Sequence, residues 1–243
     1  RANTPKQLFD EWAKISAYSP KQMKIINQER YIQKAIPKID FDEELAEIFG
    51  VLNGDGHISP SNYEICIIGN IKEVEYSNYL KNLLESKLKI KFNLKRKNSV
   101  FTLRGYSIAL FKLLTELYGL PKGNKMGKLN IPIAVKKEDA FLINYLKGLF
   151  DTDGTFYTRR KNEPVVEISS ADKSYLKEIQ EALIGLGFKA GIGNYRVFIY
   201  NKSDIARFFK VIKPANPKHL KKYNGYLDLS VGGPMVQDCC LPF

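Results

Sequence analysis

Cysteine is scarce in this chain, with three in 243 residues, at Cys66, Cys239 and Cys240. The number is odd and the spacing suits no disulfide framework, so a reducing, cytoplasmic setting is expected. Histidine is scarcer still, with only His57 and His219. They stand far apart in sequence, which argues against a zinc site of Cys/His type. No apolar run approaches the ~18 residues that a membrane span needs, and no signal peptide is read, so no membrane partner is expected. What remains is a chain with 44% hydrophobic residues, ample for a core and too high for disorder. Its length permits one large domain or two modest ones.

Acidic residues are outnumbered. Lys and Arg total 38 against 26 Asp and Glu, a net charge of +12. Most of the excess lies between residues 135 and 225, and the last eighteen residues are net acidic. A basic chain without a membrane signal points to a polyanionic partner, most often nucleic acid. A merely solvated lysine-rich surface is the alternative.

Residues 1–40 read as a helical extension. Thr4-Pro5 and Ser19-Pro20 are helix starts, each followed by apolar residues, and Pro37 stops the second. Such a pair either reads nucleic acid or packs on a larger core. From Phe41 the pattern is regular. Helices are expected over residues 43–55, 73–88 and 107–118, with strands over 63–68, 89–95 and 100–104. The order recurs with helices over 138–153, 174–186 and 203–211, and strands over 155–159, 165–169, 189–196 and 197–201. Each half therefore reads as αββαββα, a fused duplication of one α+β unit. The divisions predicted are an extension (1–40), two halves (41–134 and 135–225) and a tail (226–243).

Within this repeat one pattern occurs twice. Gly50-Val51-Leu52-Asn53-Gly54-Asp55-Gly56 closes the first helix of the first half, and Gly148-Leu149-Phe150-Asp151-Thr152-Asp153-Gly154 closes that of the second. Small residues four apart, Gly50/Gly54 and Gly148/Thr152, let two helix backbones approach closely. Gly56 and Gly154 suit the left-handed position that ends a helix. Helices packed along these faces bring Asp55 and Asp153 together. A helix C-terminus carries partial negative charge and favours a cation, yet both copies place an aspartate there. Local rules broken twice in one way mark function. Paired carboxylates are hard ligands that favour Mg²⁺, with backbone carbonyls and waters completing the shell. Beside a basic surface, such a metal suggests phosphodiester hydrolysis.

With these two copies, the chain resembles the LAGLIDADG homing endonucleases in their single-chain, two-motif form. Leu146–Gly154 covers the motif whole and Gly50–Gly56 its end. The stretches Lys125–Pro132 and Asn216–Lys222 add to the likeness, which runs from about Phe41 to Tyr223. The resemblance implies an α+β fold of two αββαββα half-domains related by a pseudo-twofold axis. The motif helices would form the interface, and the sheets a saddle over double-stranded DNA. It implies a monomer that cuts both strands of a long, asymmetric site with Mg²⁺, for which Mn²⁺ would substitute. Asp55 and Asp153 would be the metal ligands, and Gly54 and Thr152 would belong to the same metal site. Asn53 departs from the pattern, at a position that is not the ligand. The family also implies a basic residue in each half that orders the attacking water. Lys128 and Lys221 are the choices, with Lys125, Lys218 and Lys222 as competitors. Asn70 and Ser170, ending a strand in each half, would hold the solvent network.

Strand parity assigns the DNA surface. Ile90, Phe92 and Leu94 face a core, so Lys89, Lys91, Asn93 and Lys95 share the opposite face, extended by Lys97 and Arg104. Tyr157, Arg159, Lys161 and Arg196 are the choices in the second half. Such a ribbon enters the major groove, where Lys, Arg and Asn read base edges and phosphates fix register. A non-cleaving relative, such as an RNA maturase or a transcription regulator, is the rival reading. The endonuclease portion of an intein is another, though no Cys or Ser opens the chain and no His-Asn closes it.

Overall fold

The computed structural model describes residues 39–160 and 163–231. The expected helix pair of residues 1–40 falls outside the described residues, apart from its last two positions. So do Lys161 and the chain beyond Val231.

Asp42 opens the first helix, α1 (Glu43–Asn53). Its carboxylate accepts the Leu45 N–H, and Glu43 and Glu44 follow in the first turn, where the helix dipole favours negative charge. Every residue from Leu45 to Asn53 is buried, so α1 runs through the centre of the molecule instead of resting on its surface. Beyond it lie β1 (Gly56–Ile58), β2 (Glu64–Asn70), α2 (Val74–Leu88), β3 (Asn93–Lys97), β4 (Val100–Tyr106) and α3 (Ile108–Lys112). The order then repeats as α4 (Asp139–Asp153), β5 (Gly154–Thr158), β6 (Pro164–Ser169), α5 (Lys173–Gly185), β7 (Ala190–Gly193), β8 (Arg196–Ile199) and α6 (Lys202–Ile212). A last helix, α7 (Pro217–Val231), follows.

The two sheets have one topology. The first runs β1-β2-β4-β3 and the second β5-β6-β8-β7, every pair antiparallel. Side chains alternate across each. Ile65, Ile67, Phe101 and Leu103 face inward from the first, and Phe156, Val166, Ile168, Val197 and Ile199 from the second. Both inner faces join α1 and α4 in one apolar core, and burying each large side chain contributes about 1.5–3 kcal/mol. The αββαββα order of both halves is the expected α+β architecture.

The halves meet through α1 and α4. A β-carbon on Gly50 would lie 2.0 Å from the Tyr145 carbonyl oxygen, and one on Gly148 would lie 2.2 Å from that of Glu47. Gly50 and Gly148 are the same motif position, and so are Glu47 and Tyr145. The contact is therefore reciprocal, the signature of a pseudo-twofold axis through the crossing. A buried polar cluster flanks it, in which Lys147 donates to Glu47 at 2.8 Å and the Tyr79 hydroxyl donates to Glu47 at 2.7 Å.

Four local expectations are corrected. Gly56 and Gly154 are not left-handed. They are glycines because the first strand of each half turns back against its own helix. A β-carbon would lie 2.4 Å from Leu52 Cα in one case and 2.3 Å from the Phe150 carbonyl in the other. The third strand begins at Asn93, so Lys89 and Lys91 precede it. Lys89 is the left-handed cap of α2, because Ile90 and Phe92 must first bring the chain back onto the core. Helix α6 starts at Lys202, one residue before the expected 203, and Asn201 caps it, its side chain accepting from Ser203 and Asp204. Finally, α7 continues through residue 225, where a tail was expected to begin. Its Tyr223 stacks on Phe209 with ring centroids 4.0 Å apart, and Tyr226 packs on Phe156.

Candidate functional site

Because α1 and α4 cross at their small residues, their C-terminal ends converge. A β-carbon on Gly54 would lie 2.0 Å from Thr152 Oγ1 and 3.4 Å from Asp153 Oδ2. The Asp153 carboxylate thus lies against the end of the other half's helix. The Asp55 charge is felt at Asp153. Burial, followed by the Asp55 charge, pushes the Asp153 carboxyl up to about 7, against the pull of Lys125 and Lys218. Burial also raises the Asp55 carboxyl, with Glu73 adding to the rise and Lys218 and Lys125 opposing it. Two desolvated carboxylates side by side repel when ionised, and a divalent cation between them would offset both penalties. The donor set is hard oxygen, which suits Mg²⁺ or Mn²⁺.

The motif positions two residues earlier hold the surrounding loops. Asn53 donates to the Asn130 carbonyl at 2.9 Å and to the Tyr145 hydroxyl at 2.6 Å. Asp151 accepts the N–H groups of Ala215 and Asn216 at 2.8 and 3.0 Å. Burial raises Asp151 to about 7 despite these bonds. An amide in one half and a carboxylate in the other do the same work, which explains the departure at Asn53. Thr152 turns its hydroxyl back to the Gly148 and Leu149 carbonyls.

Two lysines reach the aspartates, one from each half. The Lys125 ammonium sits on the end of α1, donating to the carbonyls of Leu52, Asn53 and Gly54 at 3.3, 3.0 and 2.5 Å. It supplies the cation that a helix C-terminus favours. Burial pulls its pKa down and the two aspartates pull it up. Lys218 donates to Glu73 at 3.1 Å and acts on both aspartates. Lys128 lies one tight turn beyond Lys125 and is exposed. Lys221 is exposed and lines the outer part of the Lys218 cavity. The two competitors, Lys125 and Lys218, are the lysines whose charges act on both aspartates. Glu73 was not singled out from sequence, and nothing in its local pattern marks it; Asn216 was read only as the start of the Asn216–Lys222 stretch.

Two cavities, each built from both halves, are lined by Lys218 and Lys125 respectively. One, of about 260 Å³, is lined by Asn70, Lys72, Glu73, Asn216, Lys218 and Lys221 among others. The second, of about 500 Å³, is lined by His57, Asn124, Lys125, Met126, Ser170 and Asp172 among others. Asn70 and Ser170 thus each face a lysine of the opposite half. Each side chain also accepts the N–H two residues on, from Lys72 at 3.0 Å and Asp172 at 3.2 Å.

On the outer face of the first sheet, Asn93, Lys95 and Lys97 are exposed and pair across to Arg104, Thr102 and Val100. The outer face of the second is less charged. Arg196 pairs with Glu167 at 3.3 Å, and the Tyr157 hydroxyl donates to the same carboxylate at 2.9 Å. Arg159 lies over the Tyr200 ring, 4.9 Å from its centroid.

Residues 140–213 match the LAGLIDADG-like domain. The replication factor C small subunit of Methanocaldococcus jannaschii is 24% identical over 196 residues, which are 75% of this chain and 10% of that protein. The chain thus spans about a tenth of that relative's length. Full-length DUF199/WhiA from Thermatoga maritima shares the fold over 83% of this chain and 65% of its own, with 18% identity and a TM-score of 0.52. I-DmoI in complex with DNA and Mn is similar over 70% of this chain and 96% of its own, with 16% identity and a TM-score of 0.48.

Proposed function

We propose, taking as premise that the chain is a member of the LAGLIDADG family, that it is a divalent-metal-dependent endonuclease. It would cut both strands of a long, asymmetric DNA site as a monomer. The observation that carries this reading is the pair of aspartates, one from each half, at the meeting of two helix ends. Asp55 and Asp153 would hold Mg²⁺ or Mn²⁺ with nearby backbone carbonyls. Such a cation, when bound, polarises the phosphodiester and acidifies a water. Lys125 and Lys218 take the roles first given to Lys128 and Lys221, orienting the water and offsetting charge on the scissile phosphate. Asn70 and Ser170 line the same two cavities and position solvent there. Asn93, Lys95, Lys97 and Arg104 on one sheet, and Tyr157, Arg159 and Arg196 on the other, form the DNA surface. Lys89 and Lys91, placed before the strand, would contact phosphates at its edge. The sheets differ in sequence, so the two half-sites differ as well. Replication activity is not carried over from a relative matched over a tenth of its length.

The test is plasmid cleavage. The full chain is incubated with Mg²⁺ and a plasmid carrying the DNA that flanks its own coding segment, with the segment removed. Linear product that requires the metal is expected. Binding without scission in Mg²⁺ and Mn²⁺ would replace this reading with that of a non-cleaving DNA-binding protein.

A further inference from the structure

The two central lysines are held in different ways, and the difference originates at one pair of matching positions. In each half an acidic residue immediately precedes the helix that follows the second strand, Glu73 before α2 and Asp172 before α5. Asp172 behaves as that position requires. Its carboxylate accepts the Ser174 and Tyr175 N–H groups and the Ser174 hydroxyl, satisfying the free donors of its own helix. Glu73 makes no side-chain bond to its helix. It reaches instead into the other half, where one oxygen accepts Lys218 at 3.1 Å and the second accepts Asn216 Nδ2 at 3.0 Å. Asn216 is itself anchored, its N–H on Asp151. Lys218 therefore has a fixed carboxylate partner supplied by the first half, whereas Lys125 rests on backbone carbonyls of its own half. A helix start left uncapped so that its acid can serve a neighbouring site breaks a local rule for a purpose elsewhere.

We propose that Glu73 is a positioning residue that orients Lys218, so that scission of one DNA strand depends on Glu73 and scission of the other does not. The inference rests on the endonuclease reading and assigns to it an inequality between the two strand cuts. Lysine is a point charge on a flexible four-carbon stem with many rotamers to lose. Fixing it beside the reacting group is the kind of orientation that determines rate more than binding. The pair is partly exposed, with side-chain accessibilities of 32% and 17%, so it adds little to stability and its loss should leave the fold intact.

The experiment uses the full chain, Mg²⁺ and a duplex selected by the wild type from a random library, with the two strands carrying different labels. Glu73→Gln keeps the side-chain volume and an acceptor for Asn216. It should slow one strand about tenfold or more, leave the other within about twofold, and accumulate nicked product. Glu73→Ala should do the same. Glu73→Gln/Lys218→Met should be no slower than Lys218→Met alone, because the effect of the first change on rate passes through Lys218. Equal slowing of both strands, an unchanged strand ratio, or additive effects in the double variant would overturn the proposal while the endonuclease reading stands. A wild type that binds the duplex and cuts neither strand would overturn that reading, and the proposal with it.

Discussion

Gly50 lies directly over Tyr145, so close that any β-carbon at position 50 would sit 2.0 Å from the Tyr145 carbonyl oxygen. The neighbour is helix backbone, which cannot rotate away as a side chain could. Gly50→Ala must therefore push α1 and α4 apart. A destabilisation of about 1–3 kcal/mol is expected, with the same for Gly148→Ala, read as a lowered midpoint in denaturant. The displaced helix ends should cost cleavage as well. A Gly50→Ala protein with unchanged midpoint and activity would mean that the helices do not cross here.

Asp55→Asn and Asp153→Asn test the centre itself. Each removes one hard ligand while keeping the shape of the side chain. Cleavage should fall below detection, while binding to the selected duplex stays within about tenfold, since removing negative charge does not weaken attraction to phosphate. Cutting at the wild-type rate by either variant would remove the metal assignment.

Lys125 and Lys128 lie one turn apart and separate two readings of the basic residue. Lys125→Met should slow cleavage about 10²-fold or more with little change in affinity. Lys128→Met should act at most through phosphate contact and salt dependence. Single-turnover rates at saturating protein distinguish them, and a larger loss of rate for Lys128→Met would restore the original choice.

The raised Asp153 carboxyl makes stability depend on pH with a definite sign. Its folded pKa of about 7 stands above the ordinary 3.8. Between these values the folded chain holds a proton that the unfolded chain releases. The contribution is present below about pH 4 and lost as pH rises through about 7. Relative to Asp153→Asn, the wild type should lose thermal midpoint from pH 5 to pH 8 in chelator. Mg²⁺ should recover that loss at pH 8 and do little at pH 5, because binding requires the ionised pair. A difference between the two proteins that is flat across pH would contradict the desolvated pair.

The helices and most strands were legible because their signals are local. Leu45, Ile48, Phe49 and Leu52 recur at helical spacing, and Lys91, Asn93 and Lys95 alternate with Ile90, Phe92 and Leu94. The duplicated Asp-Gly ends were legible for the same reason. The strand start at Asn93 was not, because Lys89–Lys91 continues the alternation while the chain is still leaving α2 in a left-handed turn. The motif glycines illustrate the same division. Gly56 and Gly154 looked like helix stops, and only the packed structure shows that they admit the backbone of the preceding helix.

The sequence by itself determined that two similar αββαββα units exist, that each ends its first helix in an aspartate, and that the surface is basic. These follow from periodicity, composition and repetition, which a chain carries along its length. Only the tertiary structure decided which charges meet. Lys125 and Lys218 are the lysines whose charges act on both aspartates, and Glu73 meets Lys218 across the halves instead of capping its own helix. The physical reason is that these contacts join residues distant in sequence through irregular segments, where no periodicity records which way a side chain turns. Charge interactions depend on distance and burial, and both are set when α1 and α4 pack together.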